Sequence, residues 1–186
     1  MKLKKINASI SLLAIIFIIL HVGFTVFEYV SFHFNPILTK VFAVPFMFLA
    51  CIHGILGMCI VFTQSDGNSL NLYPKSNIKT IIQRISAALI FPLLILHINT
   101  FKILESTSKD GKWVLFVLVI VLEIVFFAVV IAHVSVSMTG ALITLGILTS
   151  RTKQQVIDRV VYVIGAIAFV VTIIVIIKTQ LVMFIK

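Results

Sequence analysis

The sequence predicts an all-α polytopic membrane protein: a five-transmembrane-helix bundle forming one integral membrane domain over residues 1–186. Three observations predict it. Of 186 residues, 61% are hydrophobic and only 11% charged, with a mean hydropathy of +1.22, so there is too little polar side chain to coat a soluble domain. The apolar residues fall into five runs, each long enough for a crossing of about 20–25 residues. Most charges sit at the ends of those runs, where membrane proteins place them. Lys and Arg total 15 against 6 Asp and Glu, a formal charge of +9. In a soluble chain that excess would raise nucleic acid as a partner; here the lipid bilayer accounts for it, and no nucleic-acid partner is expected.

Helix 1 is expected over about Ile6–Val30. Lys2, Lys4 and Lys5 give it the basic start of a signal peptide, but the apolar run is too long for one. It also contains His21 and Glu28 and is followed by no small-x-small cleavage pattern, so it reads as a retained helix. Asn35-Pro36 separates it from helix 2, about Val41–Phe62, with Pro45 inside. A polar stretch, Gln64 to Ser69, and Pro74 lead to helix 3, about Thr80–Phe101, with Pro92 inside; both prolines are candidate kinks. The run Ser106 to Gly111 precedes helix 4, about Trp113–Leu148, which is longer than a bilayer requires and should tilt or protrude. Ser150 to Lys153 precedes helix 5, about Val156–Phe184. Cys51 and Cys59 lie eight apart with no disulfide or CxxC pattern and read as small core residues.

Five crossings put the termini on opposite sides. The N-terminal side collects Lys2, Lys4, Lys5, Lys75, Lys79, Arg84, Arg151, Lys153 and Arg159, nine cations. The other side collects Lys40, Lys102, Lys109, Lys112, Lys178 and Lys186, six. The positive-inside rule then sets the N-terminus in the cytoplasm, in a multi-pass protein of the cell (plasma) membrane.

His33 falls in the loop after helix 1. His21, His53, His97 and His133 lie one in each of helices 1 to 4, and an ionisable group inside a membrane needs an internal partner. An interhelical hydrogen bond is the simplest partner for any one of them. Their depths suggest more. His21 and His97 fall roughly 6–14 Å below the outer surface, and His53 roughly 14 Å from the inner one. If helix 4 protrudes, His133 matches His53. The expectation is two pairs at two levels, His21 with His97 outside and His53 with His133 inside. Two imidazoles facing across a bundle can ligate one haem iron on both faces, so the pattern fits two haems b with all four histidines as iron ligands. A single four-His zinc or copper site fits less well, because the levels are too far apart for one ion. Small residues after His53 (Gly54, Gly57) and after His133 (Ser135, Ser137, Gly140) give a flat macrocycle room, or equally allow close helix packing.

The stretch His53-Gly54-Ile55-Leu56-Gly57 is followed by Ile60-Val61-Phe62-Thr63 and a loop with Tyr73. Ile82-Gln83-Arg84-Ile85-Ser86-Ala87-Ala88 leads to Leu96-His97-Ile98. His133 is followed by Leu142-Ile143-Thr144-Leu145-Gly146-Ile147 and Ser150-Arg151-Thr152-Lys153. Together these resemble the dihaem cytochrome b membrane-anchor subunit of succinate dehydrogenases and fumarate reductases, a family with five transmembrane helices and haem ligands on four of them. The resemblance implies a flavoprotein subunit and an iron–sulfur subunit as cytoplasmic partners. Electrons would pass between the iron–sulfur clusters, the two haems and membrane quinone. The chain would be the non-catalytic electron-transfer subunit of an oxidoreductase, with the dicarboxylate chemistry elsewhere. The spacings between successive histidines, 32, 44 and 36 residues, are less even than the family's pattern.

Four further residues are candidates for quinone or proton chemistry. Glu28, seven residues after His21, shares nearly its face and reads as a proton acceptor or as a solvated acid at a helix end. Glu123, about ten residues into helix 4, must be protonated or paired. Gln83 and Arg84 start helix 3; Arg84 could pair a haem propionate, help bind a quinone headgroup, or serve as a positive-inside anchor. Lys178 should snorkel to the interface, and Trp113 should anchor there. Two alternatives stand beside the leading reading: a dihaem cytochrome b of another quinone-linked complex, such as a nitrate reductase or hydrogenase subunit, and a small non-redox transporter or structural membrane protein.

Overall fold

The computed structural model describes residues 2–64 and 74–185, with side chains for 2–62 and 78–185. The loop from Ser65 to Tyr73, and the side chains of Pro74 and Lys75, lie outside the described residues. Five helices account for nearly all the rest: α1 (Lys2–Ser31), α2 (Pro36–Gln64), α3 (Pro74–Lys109), α4 (Trp113–Thr144) and α5 (Arg151–Phe184). All five are long and apolar enough to cross a membrane. Large apolar side chains cover the outside, among them Ile16, Ile19, Phe48, Phe62, Ile95 and Ile164. In a bilayer that exterior meets lipid rather than water, and helices satisfy their backbone groups internally.

Four helices extend beyond the apolar runs that announce them, because polar residues continue a helix wherever its end is capped. α2 begins at Pro36 because Asn35 is its N-cap: Asn35 Oδ1 accepts from the backbone N–H groups of Ile37 and Leu38 (3.1 and 3.2 Å). Proline follows in the first helical position, where no N–H is needed. α3 runs eight residues past Phe101 and stops at Gly111, whose φ of +68° closes a left-handed cap. Gly111 N–H donates to Ser108 O and Lys112 N–H to Thr107 O, the two bonds of a Schellman motif. α4 is shorter than expected, ending at Thr144 rather than Leu148. Gly146 (φ +77°) makes the same cap, with bonds to Ile143 O and from Ile147 N–H to Leu142 O. Pro45 and Pro92 both lie within continuous helices.

The bundle is two hairpins and a strut. α1 packs on α2, and α3 packs on α4; α1 and α4 join the hairpins, and α5 lies against α4 and α1. α4 is the central helix and carries the longest set of buried residues. α5 comes close to it at Gly165, where an added Cβ would stand 2.9 Å from Ser135 Oγ. At the end away from the N-terminus, α3, α4 and α5 share an apolar core of Leu104, Phe116, Val119 and Ile120, with Ile177 and Phe184 against it. At the N-terminal end, Asp158 on α5 pins the other hairpin: Lys79 Nζ of α3 donates to its Oδ2 (2.7 Å) and Thr139 Oγ1 of α4 to its Oδ1 (2.5 Å). α2 reaches α3 and α4 through side chains, as where the Phe91 ring covers Gly54. A partly open cavity of 100 Å³ lies between the hairpins, lined from α1 to α4 by residues that include Ser11, Phe46, His53, Leu94, Phe126 and His133.

Candidate functional site

His53 and His133 meet at the lining of that cavity. Their ring centres are 6.3 Å apart, at an interplanar angle of 68°. The helix registers cause the meeting: α2 and α4 both run toward the N-terminal end and carry their histidines at one level. Each ring is held from behind by its own hairpin. His53 Nδ1 donates to Asn7 Oδ1 on α1 (2.9 Å). His133 Nδ1 lies 3.2 Å from the main-chain oxygen of Gln83 and 3.0 Å from Ser86 Oγ, both on α3. A carbonyl oxygen can only accept, so the His133 proton sits on Nδ1. Ser86 in turn donates its hydroxyl to Ile82 O (2.6 Å), leaving its lone pairs for His133. With both Nδ1 atoms occupied, the two Nε2 atoms carry the free lone pairs, the arrangement in which a second group fixes the tautomer of a metal-binding histidine.

A metal–imidazole bond is roughly 2 Å, so two rings gripping one ion from opposite sides stand roughly 6 Å apart, centre to centre. The donor set and the 6.3 Å separation fit. The cavity, at 100 Å³, is too small for a tetrapyrrole; Phe91 is among its lining residues, and its Cζ stands 2.8 Å from where a Cβ on Gly54 would be. Gly54 therefore serves close helix packing here. Gly140 has no atom within 4 Å of an added Cβ. Among the described residues no group of three or more His, Cys, Asp or Glu is placed to hold a metal ion.

The second pair is organised differently. His97 Nδ1 donates to Glu123 Oε1 (3.1 Å) across α3 and α4, and its ring stacks on Phe126 with centres 4.7 Å apart. Glu123 is buried, and its Oε2 has no partner. His21 faces the same interior: it lies within electrostatic range of His97 and Glu28 and beside the Thr39 main chain, and its buried Nδ1 has no partner. No ring contact joins His21 to His97 among the described residues.

Glu28 is neither solvated nor free. It is 3% exposed, and it ties the α1–α2 turn by accepting from Asn35 N–H (2.5 Å) and Thr39 Oγ1 (2.7 Å). That corrects the solvated-acid expectation: the turn folds back over the carboxylate, with Phe32 in a left-handed conformation (φ 55°) to make the reversal. Gln83 contributes its main-chain oxygen to His133. Arg84 is exposed on the outer face of α3 and does not line the cavity. Lys178 and Trp113 are exposed near helix ends, and His33 lies exposed after α1, its Nδ1 bonded to Ser31 O (2.9 Å).

Sequence reasoning missed Asn7, Asp158, Gly165 and Gln180. Gln180 on α5 is 1% exposed, with neither amide atom partnered. Three of the four are polar residues within or beside apolar runs, a pattern that already demands an internal partner. No protein family, curated protein or solved structure matches the chain. Fold and composition define it as a five-helix, multi-pass membrane protein.

Proposed function

We propose that this chain is the membrane-anchor cytochrome b subunit of a succinate:quinone oxidoreductase, a succinate dehydrogenase or fumarate reductase. Its partners would be a flavoprotein subunit, an iron–sulfur subunit and membrane quinone. The observation that carries the reading is the facing pair His53 and His133, each with Nδ1 occupied and Nε2 free. Those two residues would hold one haem b; His21 and His97 would hold the second. The haem, when bound, supplies a one-electron carrier with both axial positions filled, which suits transfer of electrons rather than binding of oxygen. The chain's own contribution is to present four imidazoles from two hairpins, to exclude water behind an apolar surface, and to keep Glu123 against His97. The 100 Å³ cavity does not hold a tetrapyrrole as it stands, so seating one would require its lining side chains, Phe91 among them, to move apart. The N-terminus would lie in the cytoplasm, on the side of the greater cationic charge.

A second reading has its own observation. The His97–Glu123 pair, with Glu123 Oε2 unpartnered, is also what a non-redox membrane protein that carries protons would bury. One experiment separates the two. A tagged chain is purified from mild detergent and its dithionite-reduced spectrum recorded. The cytochrome reading expects b-type haem bands and co-purification of a flavin-containing and an iron–sulfur subunit. A colourless protein without those partners overturns it in favour of the second.

A further inference from the structure

Helices α1 and α5 both start at the N-terminal end of the bundle. Near the far end they touch: Thr179 Oγ1 lies 3.5 Å from the main-chain oxygen of Tyr29, and both residues are buried. Toward the middle they leave an open groove of about 330 Å³ between Val22, Gly23 and Val26 on α1 and Ile164, Ala168 and Val171 on α5. Gly23 has no atom within 4 Å of an added Cβ, so it does not serve close helix packing. Every lining residue except Thr172 is apolar. A groove of this kind, facing the membrane, takes up hydrocarbon.

Charge gathers at one mouth of the groove. Lys2, Lys4 and Lys5 on α1 and Arg151, Lys153 and Arg159 on α5 are all exposed, and none has an acidic partner among the described residues. Asp158, beside Arg159, is already taken by Lys79 and Thr139. At the other mouth, Lys178 is the one cation that α1 or α5 carries among the described residues.

We infer that the α1–α5 seam is a binding site for an anionic phospholipid from the leaflet at the N-terminal end. An acyl chain lies in the groove and the headgroup phosphate among the cations of α1 and α5. The dimensions agree. Ile164 to Thr172 lie past Arg159 by about 8–20 Å along α5, and half a hydrocarbon core is about 15 Å. Side chains on a helix lean toward its N-terminus, so Arg159 reaches back to the headgroup level. A zwitterionic lipid offers the same chain without the net charge. An isoprenoid tail or a partner helix would fill the groove and leave the cations unmatched. The site makes no use of the four histidines, so it stands apart from both readings above.

The test is native mass spectrometry of the full chain in mild detergent, titrated with phosphatidylglycerol and with phosphatidylcholine of the same acyl chains. Wild type should bind phosphatidylglycerol the more tightly. The triple variant Arg151→Gln, Lys153→Gln, Arg159→Gln should bind it about tenfold or more weakly and keep its binding of phosphatidylcholine. Gly23→Leu, which projects into the open groove, should weaken both lipids. Lys102→Gln, at the far end of α3, should change neither. Equal binding of the two lipids by wild type overturns the proposal. So does phosphatidylglycerol binding that is unchanged in the triple variant, unchanged in Gly23→Leu, or as weak in Lys102→Gln as in the triple variant. Binding of ubiquinone in place of phosphatidylglycerol, lost in Gly23→Leu, overturns it in favour of an isoprenoid tail. If the triple variant does not insert, the wild-type preference and Gly23→Leu decide on the same terms.

Discussion

The two levels of the bundle interior use the same residue type, one from α2 and α4 and the other from α1 and α3, and arrange it in different ways. At the N-terminal level, His53 and His133 face each other, and both lean on neutral oxygen acceptors. At the far level, His97 leans on the carboxylate of Glu123 and stacks on Phe126, while His21 keeps an unpartnered Nδ1. The difference teaches that a histidine in a membrane helix is defined by what stands behind it. A neutral acceptor leaves a neutral ligand, whereas a buried carboxylate can also share a proton. The surroundings follow the same division. The far level sits next to the tightly packed core of Leu104, Phe116, Val119 and Ile120, and the near level borders a cavity.

The largest effect that would break this comparison comes from Gly165→Leu. Ser135 Oγ and Ile131 Cγ2 already stand 2.9 and 3.1 Å from the position of a Cβ there, so a Leu must push α5 off α4. Overpacking of this kind costs about 1–3 kcal/mol, and thermal unfolding in detergent should show the loss. Next comes Glu123→Leu, which leaves the His97 Nδ1–H without its acceptor in a dry interior. The cost should be about 1–3 kcal/mol, while Glu123→Gln, which keeps an acceptor, should lose less in the same assay. Glu28→Ala removes the tie across the α1–α2 turn and should cost about 1 kcal/mol, as loss of a helix cap does. Its signature is faster proteolytic cleavage between Phe32 and Asn35. Arg84→Gln should be the mildest: the side chain is exposed and outside the cavity, so stability should stay within about 0.5 kcal/mol. A large loss of haem in Arg84→Gln would show that the arginine reaches inward after all and would sharpen the propionate reading.

Five helices were legible because apolar runs of that length admit little else in a chain with so few charges. Their ends were not, because Gly111, Gly146 and Asn35 set them through backbone geometry that hydropathy does not record. Counting residues put His53 and His133 at one level only on the supposition that helix 4 protrudes; α4 instead ends early, at Thr144, where the Gly146 cap stops it. The partners behind the rings were not legible: Asn7 is 46 residues from His53, and the Gln83 group that reaches His133 is a main-chain oxygen, which every residue possesses. The ties on Glu28 were not legible either, because the turn that wraps it, from Phe32 to Thr39, has no sequence pattern for folding back on a carboxylate.

The claim on which the rest depends is that His53 and His133 grip one iron between them. Haem per chain, measured as the pyridine haemochrome of purified wild type, His53→Ala, His133→Ala and the double variant, tests it most directly. The account predicts two haems in wild type and one in each of the three variants, since either ligand's loss empties the same position. Two haems retained in a single variant, or a further loss in the double variant beyond either single one, would contradict it.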